Sequence, residues 1–501
     1  MRTVFVLLDS LNRRFLSPYG AEDITPNIQR LADRGTVFNN HWCGSAPCMP
    51  ARRDIMTGRL NFLERPWGGI EPFDETLPRV LSNNGIFTQI ITDHLHYFEI
   101  GGENYCNRFD CWDFIRGQEV DQWKLTPQRK KDISMQGNGY VSENYQANRQ
   151  FFDNESEYPT PKTLQTAANW IDNNHNCDDF FIWIEGFDPH EPFDTPEDYL
   201  KDFKDEYSGE EYIWPKYGDA TELSKEEKAH ILNRYKACLS MSDNYLGKIL
   251  DVFDKHNMWE DTTLILTTDH GYMLGEHDLM AKNYMHAYNE IFHIPLIISH
   301  PESDKKEVNA LTQNIDIFPT VLELHDVETE KEIEYKIHGK SLISLITEEV
   351  DKLRDHLIYG YFGKAVNITD GKYTYFRAPI SEGNEPLNMY TVMPTMLNVD
   401  INKKILDEKS YESFEFDKFL PWSDYPVIKM NANIIDWYIE SQNFQKRNTY
   451  INNSFLFDIV NDYRQEKPIL NIEIEERMVD ILKCSLIEHD SPEEQFERLG
   501  I

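Results

Sequence analysis

The chain has 501 residues, of which 40% are hydrophobic and 27% charged, a balance that excludes a disordered or fibrous protein and allows a large domain with a smaller one attached. Its 86 Asp+Glu against 50 Lys+Arg give a net charge of -36, which excludes nucleic acid and anionic membrane surfaces as expected partners. A small anionic substrate is compatible only if a metal ion and a few local cations reverse the sign of the field inside a pocket.

In chain order, the apolar run at 4–8 is cut by Asp9 and reads as a first buried strand, too short for a secretory leader. Thr25 caps a helix with Pro26 at its first position and Gly35 past its end. Further strands are expected at 86–91, 180–184, 263–267 and 294–298, and a long helix at 225–256. This alternation predicts an α/β fold, a large mostly parallel sheet flanked by helices. The polar, aperiodic stretch 117–161 is either an active-site lid or a surface insertion. From His356 the pattern becomes period-two, with KYTYFRA after an Asp370-Gly371 turn, so a smaller C-terminal α+β subdomain with an antiparallel sheet is expected over 351–501, after a catalytic domain at 1–350. No run approaches the ~18 apolar residues of a membrane helix. The seven scattered cysteines form no evident disulfide framework, and the expected location is cytoplasmic.

Ligands of such sheets gather beyond the carboxyl ends of the strands. Asp9, the pair His94 and His96, the run Asp188 to His190, and Asp269-His270 each follow an apolar run. Asp9, Asp269 and His270 offer two carboxylates and an imidazole, a set suited to one divalent cation; a polar cluster satisfied internally is the alternative.

Ser45 to Arg52 carries Cys-x-Pro-x-Arg at Cys48, Pro50 and Arg52. Downstream stand Thr57-Gly58-Arg59, Asp-Pro-His-Glu-Pro at 188–192, Thr-Asp-His-Gly at 268–271 and Lys282. Together with NIDIFPTVLEL at 314–324, His338 to Leu342, Leu456-Phe457-Asp458 and 492–500, these make most of the chain resemble the sulfatase family of the alkaline phosphatase superfamily.

The resemblance implies hydrolysis of a sulfate ester, on a small molecule or a saccharide. Cys48 would be oxidised by a formylglycine-generating maturation enzyme, and one hydroxyl of the hydrated aldehyde would attack sulfur while the other later expels sulfate. Asp9, Asp269, His270 and the modified Cys48 would hold one divalent metal, calcium or manganese. Arg52 would steady the hydrated aldehyde, Lys282 would contact the ester oxygens, and His190 would contact the sulfate or protonate the leaving oxygen. His94 is a weaker match, because Thr92 stands where many members carry a lysine. Ser10 replaces a frequent second Asp, and His270 a frequent Asn, which shifts the expected metal from calcium toward manganese or another transition metal. The same pattern resembles the phosphonate monoester hydrolase branch, whose substrates are phosphonate monoesters and phosphate diesters. A binding protein that kept the fold without the chemistry is the reading from another class.

Overall fold

The run RTVFVLL forms β1 (Arg2–Leu8), and all its residues are buried. Side chains alternate between faces, so Val4, Val6 and Leu8 enter one apolar cluster while Phe5 and Leu7 enter another. Burial on both faces is why the strand reads as a continuous apolar run. The computed structural model describes residues 1–21, 24–127, 143–209, 211–303, 306–394, 412, 414–432 and 453–501.

Seven more strands complete the large sheet: β2 (Thr36–Phe38), β3 (Phe87–Thr92), β4 (Cys111–Phe114), β5 (Phe180–Gly186), β6 (Thr262–Thr267), β7 (Leu296–Ser299) and β8 (Glu307–Val308). The order is β8-β2-β7-β6-β1-β5-β3-β4, and β7 alone runs against its neighbours. Leu8 pairs with Gly186 and Leu7 with Thr267, so the ends of β1, β5 and β6 lie side by side.

One face carries α1 (Pro26–Arg34), α4 (Pro159–Asn174) and α5 (Lys225–His256), packed on Val4, Val6 and Leu8. The other carries α2 (Cys48–Thr57), α3 (Leu77–Asn83) and α6 (Ile317–Leu324), packed on Phe5 and Leu7. This is the expected architecture. A second sheet joins β9 (Leu357–Tyr361), β10 (Val366–Thr369), β11 (Tyr373–Arg377) and β12 (Phe455–Asp458), antiparallel in sequence, with the short strand Ser45–Ala46 added parallel to β9. Asp370-Gly371 turns β10 into β11, with Gly371 at φ +84° and Asp370 Oδ1 accepting from the N–H groups of Lys372 and Tyr373. Among the described residues no helix is long and apolar enough to cross a membrane.

Three local expectations differ from the structure. Pro295 divides 294–298: His293–Ile294 pairs with His41–Trp42 in a separate small sheet, and β7 begins only at Leu296, because proline has no N–H for the ladder. Thr25 occupies the N-cap of α1 but accepts from the Ser17 N–H instead; the first turn is capped by Asp243 of α5, which accepts from the N–H groups of Asn27 and Ile28 at 2.9 and 2.7 Å. Of 117–161, residues 128–142 lie outside the described residues, and the rest comprises the loop 117–127, a helix Glu143–Arg149, a short 3-10 turn Glu155–Glu157 and the start of α4. Its Gln118 donates to Asp188 Oδ1 at 3.1 Å and its Glu119 faces His96 at 3.2 Å, against the loops that carry His190 and His94.

Candidate active site

Cys48 opens α2, and the strand Ser45–Ala46 delivers it. Asp54, one turn and a half into that helix, accepts from the N–H and hydroxyl of Ser45 at 2.7 and 2.8 Å and ties the entry to the helix. The positive end of the α2 dipole therefore lies at Cys48. Asp9 follows β1, and Asp269-His270 follow β6, the strand beside it.

These elements bring Asp9, Cys48, Asp269 and His270 together: one ligand atom from each lies within 4.8 Å of all the others, and all four residues are buried. Cys48 Sγ is 3.3 Å from His270 Nε2. His270 Nδ1 lies 2.8 Å from the Gly271 carbonyl, which places the ring proton on Nδ1 and leaves the Nε2 lone pair facing the cluster. Burial holds His270 below the usual histidine value, so the imidazole is neutral and free to ligate.

The carboxylates also keep capacity for a cation. An ionised carboxylate accepts about four bonds. Asp9 Oδ1 accepts from Ser10 Oγ at 2.9 Å and its Oδ2 from Arg52 at 2.8 Å. Asp269 Oδ1 is taken by the Ser10 and His270 N–H groups and Thr268 Oγ1, while among the described residues its Oδ2 accepts from Arg52 alone, at 2.6 Å, so the open positions are those of Asp9 and of Asp269 Oδ2. Burial would raise the Asp9 carboxyl, but the charges of Arg52, Lys282 and His270 and the Ser10 bond overcome it and hold the pKa down to about 2. Two carboxylates and a neutral imidazole, with the Cys48 side chain beside them in one small volume, fit a divalent metal ion.

Arg52 was expected at the nucleophile, and it sits one helical turn behind it. Its guanidinium donates from Nε and Nη2 to Glu185 Oε1, from Nη2 to Asp9, and from Nη1 to Asp269 and the Cys48 carbonyl. All five N–H groups are thus spent on fixing the carboxylates and the helix start. Lys282 Nζ donates to Ser10 Oγ at 3.0 Å. Burial pulls its ammonium down, and Cys48, Glu191, Asp9 and Asp269 outweigh that and hold it above the ordinary lysine value, so it stays charged.

His94 lies 3.6 Å from both Asp9 Oδ2 and Glu185 Oε1, and neither ring nitrogen has a hydrogen-bond partner among the described residues. His190 is buried with Nδ1 2.6 Å from the Glu191 carbonyl. Burial keeps both imidazoles well below the usual value and therefore neutral. Thr160 links the loops that bear them, donating to Asp93 Oδ2 at 2.7 Å and accepting from the Asp188 N–H at 3.0 Å.

Residues 2–327 match the family model of the sulfatases. The chain belongs to the sulfatase family. It is a sulfuric ester hydrolase. Among relatives, an uncharacterized sulfatase, YidJ, of Escherichia coli (strain K12) is 28% identical over 356 residues, covering 65% of this chain and 68% of that protein. The structure of BT4656 in complex with D-glucosamine-2-N,6-O-disulfate superposes with a TM-score of 0.65 at 17% identity, covering 98% of this sulfatase and 99% of that chain. The phosphonate monoester hydrolase of Agrobacterium radiobacter gives 0.66 at 15% identity, covering 97% and 95%. Both likenesses establish the alkaline phosphatase-like fold.

Sequence reasoning missed Glu185. It ends the apolar run of β5, fully buried, accepting from Arg52, from Tyr97 Oη at 2.7 Å and from Trp183 Nε1 at 2.9 Å. A glutamate inside FFIWIEG was the available signal, since an acid is buried this deeply only when paired.

Proposed function

We propose that this sulfatase hydrolyses sulfate esters of saccharides through Cys48 matured to formylglycine, with one divalent metal held by Asp9, Cys48, Asp269 and His270. The observation that carries the proposal is the convergence of those four ligand groups within 4.8 Å at the dipole-positive start of α2. Burial pushes the unmodified Cys48 thiol well above its usual value, so it is a poor thiolate nucleophile and gains reactivity from being converted to another group. The geminal diol of formylglycine supplies an attacking oxygen that no thiol offers, and a bound divalent cation supplies Lewis-acid charge to the developing anion.

The chain's own residues supply the rest. Arg52 and Ser10 orient the two carboxylates. Charged Lys282, beside Ser10 and Cys48, balances the negative charge of the transferring group. His94 presents an unpartnered imidazole at the cluster, which supports a contact with substrate oxygen. His190, neutral with its proton on Nδ1 against the Glu191 carbonyl, presents an Nε2 lone pair to the substrate, and it serves the departing alcohol oxygen as an acid only in its imidazolium form, after Nε2 takes up a proton from solvent. The saccharide assignment draws on the relatives: an N-acetylglucosamine-6-O-sulfatase of Bacteroides thetaiotaomicron is 23% identical over 423 residues. Thr92, in the place of a frequent lysine, favours a monoanionic centre and keeps a second reading, hydrolysis of phosphonate monoesters or phosphate diesters by the same site.

The test is the mass of the peptide containing Cys48 from protein matured in a competent host, with rates on aryl sulfate and aryl phosphodiester. The expected result is a loss of about 18 Da, thiol to aldehyde, with sulfate hydrolysis proportional to the modified fraction and absent in Cys48→Ala. Full activity with an intact thiol would overturn the chemistry, and strong diesterase activity beside undetectable sulfatase activity would reverse the order of the two readings.

A further inference from the structure

Lys364 sits in the turn between β9 and β10, and the register of β9 decides where that turn lies. Gly360 and Tyr361 pair in parallel with Ser45 and Ala46. Both strands therefore end at one edge, and the residues after Tyr361 emerge beside Pro47 and Cys48. The backbone of this turn is already committed. The Lys364 N–H donates to the Tyr361 carbonyl at 3.2 Å, Arg498 Nη1 donates to the Lys364 carbonyl at 3.0 Å, and Asn384 Nδ2 donates to the Gly363 carbonyl at 2.5 Å.

The ammonium is not committed. Lys364 is 6% exposed, and its Nζ makes no hydrogen bond among the described residues, lying instead over the Tyr361 ring at 4.6 Å from the centroid. The hydroxyl of that ring accepts from the Asn283 N–H at 3.5 Å, immediately after Lys282. The ring thus has one end at the cleavage site and its face under Lys364. Buried charges are ordinarily paired, and in a chain of net charge -36 acidic partners are abundant. Yet among the described residues nothing acidic offsets the burial of this one, which pushes its pKa down to about 7. A cation held rigidly, desolvated and without a counter-charge is preorganised for an anion brought from outside.

We propose that Lys364 is an anion subsite that binds a second charged group of the substrate, a sulfate or carboxylate on the same saccharide, beside the ester that is cleaved. The proposal rests on the sulfatase reading above and narrows its substrates to saccharides with at least two anionic groups. Pairing a buried ammonium with an anion is a charge-assisted contact, expected to change affinity by about ten- to a hundredfold.

The test is titration calorimetry on full-length Cys48→Ala protein, which does not consume the ligand, with glucosamine 6-sulfate and glucosamine 2-N,6-O-disulfate. With Lys364 present the disulfate binds at least about tenfold tighter; in Lys364→Met the two bind within about twofold of each other. Unchanged binding of the monosulfate shows that the variant is folded, and Lys364→Gln gives the same readout should the methionine variant not fold. A disulfate that binds no tighter, or a preference that persists without Lys364, overturns the subsite. Turnover of an aryl monosulfate by the matured protein reports separately on the reaction, so failure there with a Lys364-dependent preference intact would withdraw the sulfatase chemistry and keep the subsite.

Discussion

Arg52 shows how much of this site is scaffolding for charge. Five donated hydrogen bonds tie it to Asp9, Glu185, Asp269 and the Cys48 carbonyl, all of them buried. Arg52→Ala leaves three carboxylates clustered without their shared cation, and the expected loss is about 3–5 kcal/mol of unfolding free energy. Lysine does not restore it, since a point ammonium cannot reproduce the planar fork; urea titrations of both variants check this. Cys48, Asp9 and Asp269-His270 were legible because each carries a local signature, a short motif or an acid that cuts an apolar run. Glu185 was not, because its partner is Arg52, 133 residues away. Lys364 supplies a pH prediction. Burial lowers its pKa from 10.5 to about 7, so between these values the unfolded chain holds a proton that the folded chain lacks, and stability rises with pH. Below about 7 the folded protein bears the full cost of a buried ammonium. Lys364→Met is therefore expected to raise the melting temperature, by more at pH 6 than at pH 10, and an equal gain at both would contradict this.

At the scale of elements, what the sequence made readable depended on how far apart the interacting groups lie in the chain. Helix α5 runs from Lys225 to His256 as expected, because its punctuation is local: Ser224 and Glu227 form a capping box, and Asn257 closes the far end in the left-handed region at φ +54°. Helix α1 also has its expected bounds but not its expected cap. The Thr25 hydroxyl is turned to Ser17, and the carboxylate that receives the N-terminal N–H groups comes from Asp243 in α5. No local pattern announces a cap supplied across a helix–helix contact. Asp243→Ala should cost about 1–3 kcal/mol and Thr25→Ala less, an order that denaturant midpoints would reverse if Thr25 were the true cap. The same contrast holds for β7: its apolar run was visible, but that Pro295 hands the preceding pair to another sheet depends on what His41–Trp42 offers. Thr160 illustrates the functional side, since one hydroxyl at the start of α4 fixes the loops after β3 and β5, and with them His94 and His190.

For the molecule as a whole, the sequence marks a change of pattern near residue 350, and contacts cross that boundary at several places. The strand Ser45–Ala46, which delivers Cys48 to α2, is hydrogen-bonded to β9, so the second sheet supports the first residue of the site. Leu60, Phe62 and Leu63, just beyond α2, pack with Ile358, Val366 and Ile368 of the second sheet and with Met478 and Leu482 of the helix Ile472–Glu488. Arg59 reaches Asp490 at 3.3 Å, and His338 reaches the same carboxylate at 3.1 Å. We propose that 1–350 and 351–501 are architectural parts of one folding unit. Cutting after residue 350 would expose Leu60, Phe62 and Leu63 together, an upper cost of about 5–9 kcal/mol for three large apolar side chains. That is comparable with the whole stability of an ordinary domain, about 5–15 kcal/mol. A 1–350 fragment is thus expected to lack fixed tertiary structure by near-ultraviolet circular dichroism and to show no sulfatase activity even when the Cys48 peptide is matured. A fragment that unfolded cooperatively in urea would show instead that the large sheet stands alone, and that the second sheet serves only to hold Cys48 and the substrate in place.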